Sequence, residues 1–248
     1  MAVNRIRKMD HLASPDKVFL TDAGIMTYAT FQKGLTLGKE LTFLEFMDDA
    51  DKVAFFQEYY TTMARTALER GFHFMLESAA TWKASLDLGV NVLGLSKDKW
   101  AELMAKSNDM VANIREDLMV EFPDKEVLIG GLIGAREGGY KTTLDMSEDE
   151  AAAYHEPAMR LFATDSRVDY VLAGPLADVV EAKGIIRAGA KHNMPLVISF
   201  TLRKQDCKLQ SGQSLKVNLL LCSVPQKVAE KLLNFFNPFL KPYYTGSN

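Results

Sequence analysis

Two carboxylates stand where short apolar runs end. Asp22 follows Val18 to Thr21, and Glu77, with Ser78 after it, closes Phe72 to Glu77. If both runs are parallel strands, the two acids meet at one end of the sheet, where they can hold an amino group or divide acid and base roles between them. Either acid can equally cap a turn or pair with a nearby cation. Ser199 and Thr201, at the end of the run Leu196 to Phe200, offer hydroxyls to a ligand carboxylate or to loop backbone. The glycine-rich stretch from Gly130 through Gly131 to Tyr140 permits close backbone approach to a ligand, or a tight turn. His11 and His73 lack metal-ligand spacing, while His155 and His192 fall in or at the end of helical segments and suit structural roles. Phe55, Tyr59 and Met63, at helical spacing, suit core packing.

The elements that must position these residues alternate in kind. Val18 to Thr21, Phe72 to Glu77, Val127 to Ile133, Val168 to Ala173, Leu196 to Phe200 and Val217 to Leu221 read as strands. Their continuous apolar character suits a parallel sheet covered on both faces. Helices are predicted from Lys52 to Arg70, from Ser147 to about Ala163, from Asp178 to Lys191 and from Pro225 to Phe236. Asp48, Asp49 and Asp51 suit the positive N-terminal end of the first, and Ser147 with Glu150 forms a capping-box pattern for the second. Strand-helix alternation without a dinucleotide fingerprint after the first strand favours an α/β, TIM-type (β/α)8 barrel over a doubly wound sheet. About six strand-helix units are countable, so the barrel is expected to be incomplete, with its open edge covered by another chain or by the tail, or else left exposed at a cost in stability.

Composition narrows the function. The 248 residues carry 29 Lys and Arg against 32 Asp and Glu, a net charge of −3, with no basic run, which disfavours a nucleic-acid partner. No stretch approaches the ~18 apolar residues that span a bilayer, and the N-terminus has no secretory apolar core. Only Cys207 and Cys222 are present, which is no disulfide framework, so a cytoplasmic, reducing location is expected. The whole of 1–248 is read as one domain, with a divergent tail from about residue 216.

Taken together, the motifs resemble the homocysteine S-methyltransferase family. Leu20-Thr21-Asp22-Ala23-Gly24-Ile25-Met26-Thr27 resembles the family's Asp-Gly-Gly-x-x-Thr opening, with Ala23 where glycine is usual. Phe74-Met75-Leu76-Glu77-Ser78-Ala79-Ala80-Thr81-Trp82-Lys83-Ala84-Ser85 is similar to the Leu-Glu-Ser-x-Thr-Trp-Arg-Ala block of a bacterial-type branch. Ile133-Gly134-Ala135-Arg136-Glu137-Gly138-Gly139-Tyr140 is similar to that branch's Ile-Gly-Pro-Arg-Gly-Asp-Gly-Tyr. Tyr154-His155, Val197-Ile198-Ser199-Phe200-Thr201 and Leu209-Gln210-Ser211-Gly212-Gln213-Ser214-Leu215 follow in the same order. The resemblance implies a barrel binding homocysteine and a methyl donor at its mouth, methyl transfer giving methionine, with Asp22, Thr27, Glu77, Ser78, Gly131, Ser199 and Thr201 around the substrate. It also implies zinc, held by three cysteine thiolates, which would deprotonate the substrate thiol.

The chain departs from the family pattern at points that bear on this chemistry. The family's Gly-Gly-Cys-Cys block does not occur, and Cys222 is the one cysteine placed to serve as a zinc ligand, with Asn218 four residues before it rather than adjacent. Ala173-Gly174-Pro175 stands where many members carry Glu-Thr. Three readings stay open: a thiol methyltransferase, a non-catalytic binding or interaction protein on a truncated barrel, and a metal-free barrel using Asp22 and Glu77 for acid/base chemistry on another small molecule.

Overall fold

The computed structural model describes residue 14 and residues 16–22, 24–36, 42–142 and 145–214. Five strands form a single parallel sheet: β1 (Phe19–Thr21), β2 (His73–Glu77), β3 (Val127–Ile133), β4 (Tyr170–Leu176) and β5 (Leu196–Phe200). Their spatial order is their chain order, β1-β2-β3-β4-β5. A doubly wound sheet reverses direction at a switch point, whereas sequential order is the arrangement of a (β/α)8 barrel. The architecture is therefore an incomplete TIM-type barrel. The predicted strand Val217 to Leu221 and the predicted helix Pro225 to Phe236 lie outside the described residues.

The helices are α1 (Ala50–Glu69), α2 (Lys97–Glu121), α3 (Glu148–Thr164) and α4 (Val179–Lys191). Each starts where a side chain accepts from free amides of the first turn. Asp49 Oδ1 takes Asp51 N at 3.1 Å and Lys52 N at 3.2 Å. Ser147 and Glu150 close a full capping box, and Asp178 Oδ1 accepts from Glu181 N at 3.0 Å. The longest helix, α2, is absent from the sequence-based expectation because polar Ser107 and Asn108 interrupt its buried stripe of Trp100, Leu103, Met104, Met110, Val111, Ile114 and Leu118. Ser107 belongs there as a donor to Ser78 Oγ at 2.7 Å, which ties α2 to the end of β2. The fourth strand runs Tyr170–Leu176 rather than Val168 to Ala173, so the Ala173-Gly174-Pro175 segment lies within it.

Alternation sorts the strand residues onto two faces. Phe74, Leu76, Ile129, Ile133, Val171 and Ala173 are buried within one hydrophobic core. Gly131 lies on the helix side with them: a methyl group there would stand 2.5 Å from the Phe162 ring of α3. The opposite face carries the site. β5 differs from β3 and β4 in that all its residues except exposed Ser199 are only half-buried.

Candidate functional site

Register builds the centre of the site. Glu77 of β2 pairs with Gly130 of β3, which pairs with Tyr170 of β4, so the three stand in one row across the sheet. Gly130 has no side chain to separate its neighbours. The Tyr170 ring lies across it, and an added Cβ would meet Tyr170 Cζ at 2.6 Å and Glu77 Cγ at 2.8 Å. Tyr170 thereby donates its hydroxyl to Glu77 Oε1, while Thr21 at the end of β1 donates to Glu77 Oε2 at 2.7 Å. Three strands, β1, β2 and β4, converge on one carboxylate that is 2% exposed.

Burial pushes the Glu77 carboxyl above the usual carboxylate range, and the two hydroxyls pull it partly back. Asp22, next in sequence to Thr21, is half-buried and is pushed up to about 7, first by burial and then by the charge of Glu77, against the pull of a backbone amide. Its charge in turn helps raise the Tyr59 and Tyr60 phenols of α1. Burial is the larger cause for each, and Tyr59 reaches about 12. Tyr60, fully buried, accepts from Ala79 N at 2.7 Å and so fixes the turn that follows Glu77.

The remaining sequence-derived candidates fall into distinct places. Ser78 caps the short turn Ala79–Thr81, accepting from Ala80 N at 3.3 Å as well as from Ser107. Thr27 is exposed on the short helical turn Ile25–Thr27 that follows β1, which Gly24 opens at φ 80. Ser199 is exposed on β5 and crowds β4, its Cβ 2.7 Å from where a side chain on Gly174 would begin. Thr201, half-buried, donates its backbone amide to Leu176 O at 2.9 Å. Gly131 faces the helix layer and not the row of Glu77, Gly130 and Tyr170. Cys222 lies outside the described residues.

Sequence reasoning missed three parts of the rim. Tyr170 read only as a strand residue, and nothing short of register reveals that it reaches Glu77. Trp82 donates Nε1–H to Gly174 O at 3.0 Å, so the loop after β2 crosses β3 and fastens to β4. Thr81 Oγ1 strengthens the crossing by accepting from Leu132 N at 3.1 Å. In the loop after β3, Arg136 N donates to Glu181 Oε1 at 2.7 Å, and the same oxygen meets His155 Nε2 at 2.9 Å. His155 is thus structural, orienting the acid that anchors this loop. Phe55, Tyr59 and Met63 pack half-buried against the core, as expected, and their outer sides line a groove of about 370 Å³ with Tyr28, Lys33, Glu58 and Thr62.

The donor set does not fit the zinc that the family resemblance implies. Three thiolates cannot come from two cysteines. Cys207 sits in the loop after β5, with its amide bonded to Arg203 O at 3.0 Å. Among the described residues no three His, Cys, Asp or Glu side chains converge.

Comparisons with known proteins place these features in context. The sequence profile described as Homocysteine S-methyltransferase matches residues 58–232. The metallated form of Escherichia coli homocysteine methyltransferase MmuM superposes with a TM-score of 0.72 at 21% identity, covering 90% of this chain and 75% of that one. Its oxidized form gives 0.68 over 90% and 74%, also at 21% identity. The apo form gives 0.61 over 87% and 71%, again at 21% identity. At such identity the likeness is one of fold. A search of curated protein sequences finds no match.

Proposed function

This chain belongs to the homocysteine S-methyltransferase family, and we propose that it binds homocysteine at the strand C-termini and transfers a methyl group to the sulfur, giving methionine. The observation that carries the reading is the buried Glu77 carboxylate, oriented by hydroxyls from two other strands. An ionised carboxylate has capacity for more than two donors, so Glu77 can take the substrate ammonium while keeping Thr21 and Tyr170. Ser199 on β5 and Thr201 just after it are the hydroxyls for the substrate carboxylate. Ser78 and Thr27 belong to the surrounding wall. Methyl transfer is displacement at carbon, for which a protein supplies chiefly alignment of sulfur, methyl and leaving group.

Calorimetric titration of the full chain with homocysteine tests the anchor. Glu77→Gln is expected to weaken binding at least tenfold while the far-ultraviolet spectrum is kept; equal affinity in the variant would refute it. A second reading, a binding protein without turnover, is favoured by the two-cysteine count. Homocysteine binding with no methionine formed from sulfonium or ammonium methyl donors would select it. Zinc content measured after dialysis with homocysteine bears on both readings. About one zinc per chain, lost in Cys222→Ser, would show that Cys222 joins ligands beyond the described residues.

A further inference from the structure

We propose that the groove beside α1 is the surface on which a second copy of this chain docks, the two copies related by a twofold axis. The proposal is independent of the substrate reading. The groove, of about 370 Å³, is walled by Tyr28 from the turn after β1 and by Phe55, Tyr59 and Met63 from α1. The Tyr28 ring centroid stands 6.0 Å from that of Phe55 and 5.4 Å from that of Tyr59, so the aromatic wall is continuous. Aromatic residues and methionine concentrate where protein surfaces meet, and exposed apolar patches mark such places. The turn that supplies Tyr28, residues Tyr28–Gln32, also carries Phe31, which is 79% exposed. On β1, the marginal strand, Val18 and Leu20 are exposed as well.

Charge selects the occupant. Two side chains of opposite sign line the groove, Lys33 and Glu58, and among the described residues neither has an ion-pair partner. The Lys33 ammonium instead stands over the Tyr28 ring, 5.7 Å from its centroid. A twofold interface sets one patch against itself, so that whatever residue a side chain meets on the other copy meets its own counterpart in return. A patch holding one cation and one carboxylate, not paired with each other, is self-complementary in this sense. Lys33 faces Glu58 of the partner subunit, and the same pair forms again across the axis. Phe31 supplies the projecting side chain and the groove its receptacle, also twice. A wholly basic or wholly acidic partner would leave one of the two charges facing its own kind.

Sedimentation velocity of the full chain over a dilution series is expected to show a monomer-dimer equilibrium. Phe31→Ala, which trims an exposed side chain and leaves the core intact, is expected to weaken association at least tenfold. Lys33→Glu and Glu58→Lys each set like charges against one another twice, and each is expected to weaken it several-fold. The double variant restores opposite charges across the axis and is expected to recover the unaltered affinity. In hydroxyl-radical footprinting, Tyr28, Phe31 and Met63 are expected to become protected as concentration rises. A monomer at every concentration, or a dimer that the single reversals leave unchanged, overturns the proposal. Protection already present in the monomer means that the chain covers its own groove, and protection that appears only on adding free methionine means a small-molecule site; either overturns it too.

Discussion

Replacing Tyr170 by Phe removes one hydroxyl and keeps the ring that lies over Gly130, so it isolates what that hydroxyl does for Glu77. The acid is 2% exposed, and burial holds its folded-state pKa above the unfolded value. For such a group the stability present at low pH, where the acid is protonated folded and unfolded alike, is lost as pH rises through the folded pKa. Tyr170 limits that loss by donating to the charged form. A hydrogen bond to a charged group contributes about 1.5–3 kcal/mol, against about 0.5–1.5 kcal/mol between neutral groups. Tyr170→Phe is therefore expected to cost about 2 kcal/mol at pH 8 and roughly half of that at pH 4. At pH 8 the midpoint of thermal unfolding falls by about 4–8 °C. Urea unfolding at the two pH values measures the difference directly. An equal loss at both would refute the claim that the hydroxyl stabilises the Glu77 anion; no loss at either would refute the bond itself.

Other substitutions probe the surrounding construction. Gly130→Ala puts a methyl group 2.6 Å from the Tyr170 ring; it is expected to cost about 1–3 kcal/mol in urea unfolding and to weaken homocysteine binding as Tyr170 is driven from Glu77. Gly131→Ala meets Phe162 at 2.5 Å and is expected to cost a similar amount in the same unfolding measurement. Glu181→Ala leaves the Arg136 amide and the His155 ring without their shared acceptor; a loss of about 2 kcal/mol or more and faster proteolytic cleavage after Arg136 are expected. Homocysteine affinity is expected to change with pH through about 7 as Asp22 ionises, and calorimetry in buffers of different ionisation enthalpy measures the proton exchanged.

Much of the layout was legible because each local signal agreed with the element it served. The run Val127 to Ile133 and the capping box at Ser147 appear in the structure where the sequence placed them, since a fully apolar run and a reciprocal cap depend on little beyond themselves. The acids at the ends of β1 and β2 were visible for the same reason. Their surroundings were not. That Tyr170 reaches Glu77 depends on two successive registers across Gly130, a relation between residues far apart in the chain that periodicity does not encode. Helix α2 was hidden by Ser107, a polar residue that is buried because Ser78 waits for it on another element. Gly131 read as a place for close backbone approach to a ligand, yet within β3 it faces the helices and makes room for an aromatic ring.

The link from Trp82 to Gly174 has a mechanical meaning. Parallel strands in chain order hold one another only neighbour to neighbour, so the sheet can splay like a fan, each joint adding its own small rotation. A contact that skips β3 converts three leaves of that fan into a braced triangle: β2 and β4 are tied above the strand between them. The row of Glu77, Gly130 and Tyr170 spans the same three strands. Curvature at the site is thereby held locally, by a cross-tie, and does not depend on closing the whole circle. A barrel arc braced in this way can keep a binding geometry while its far strands diverge.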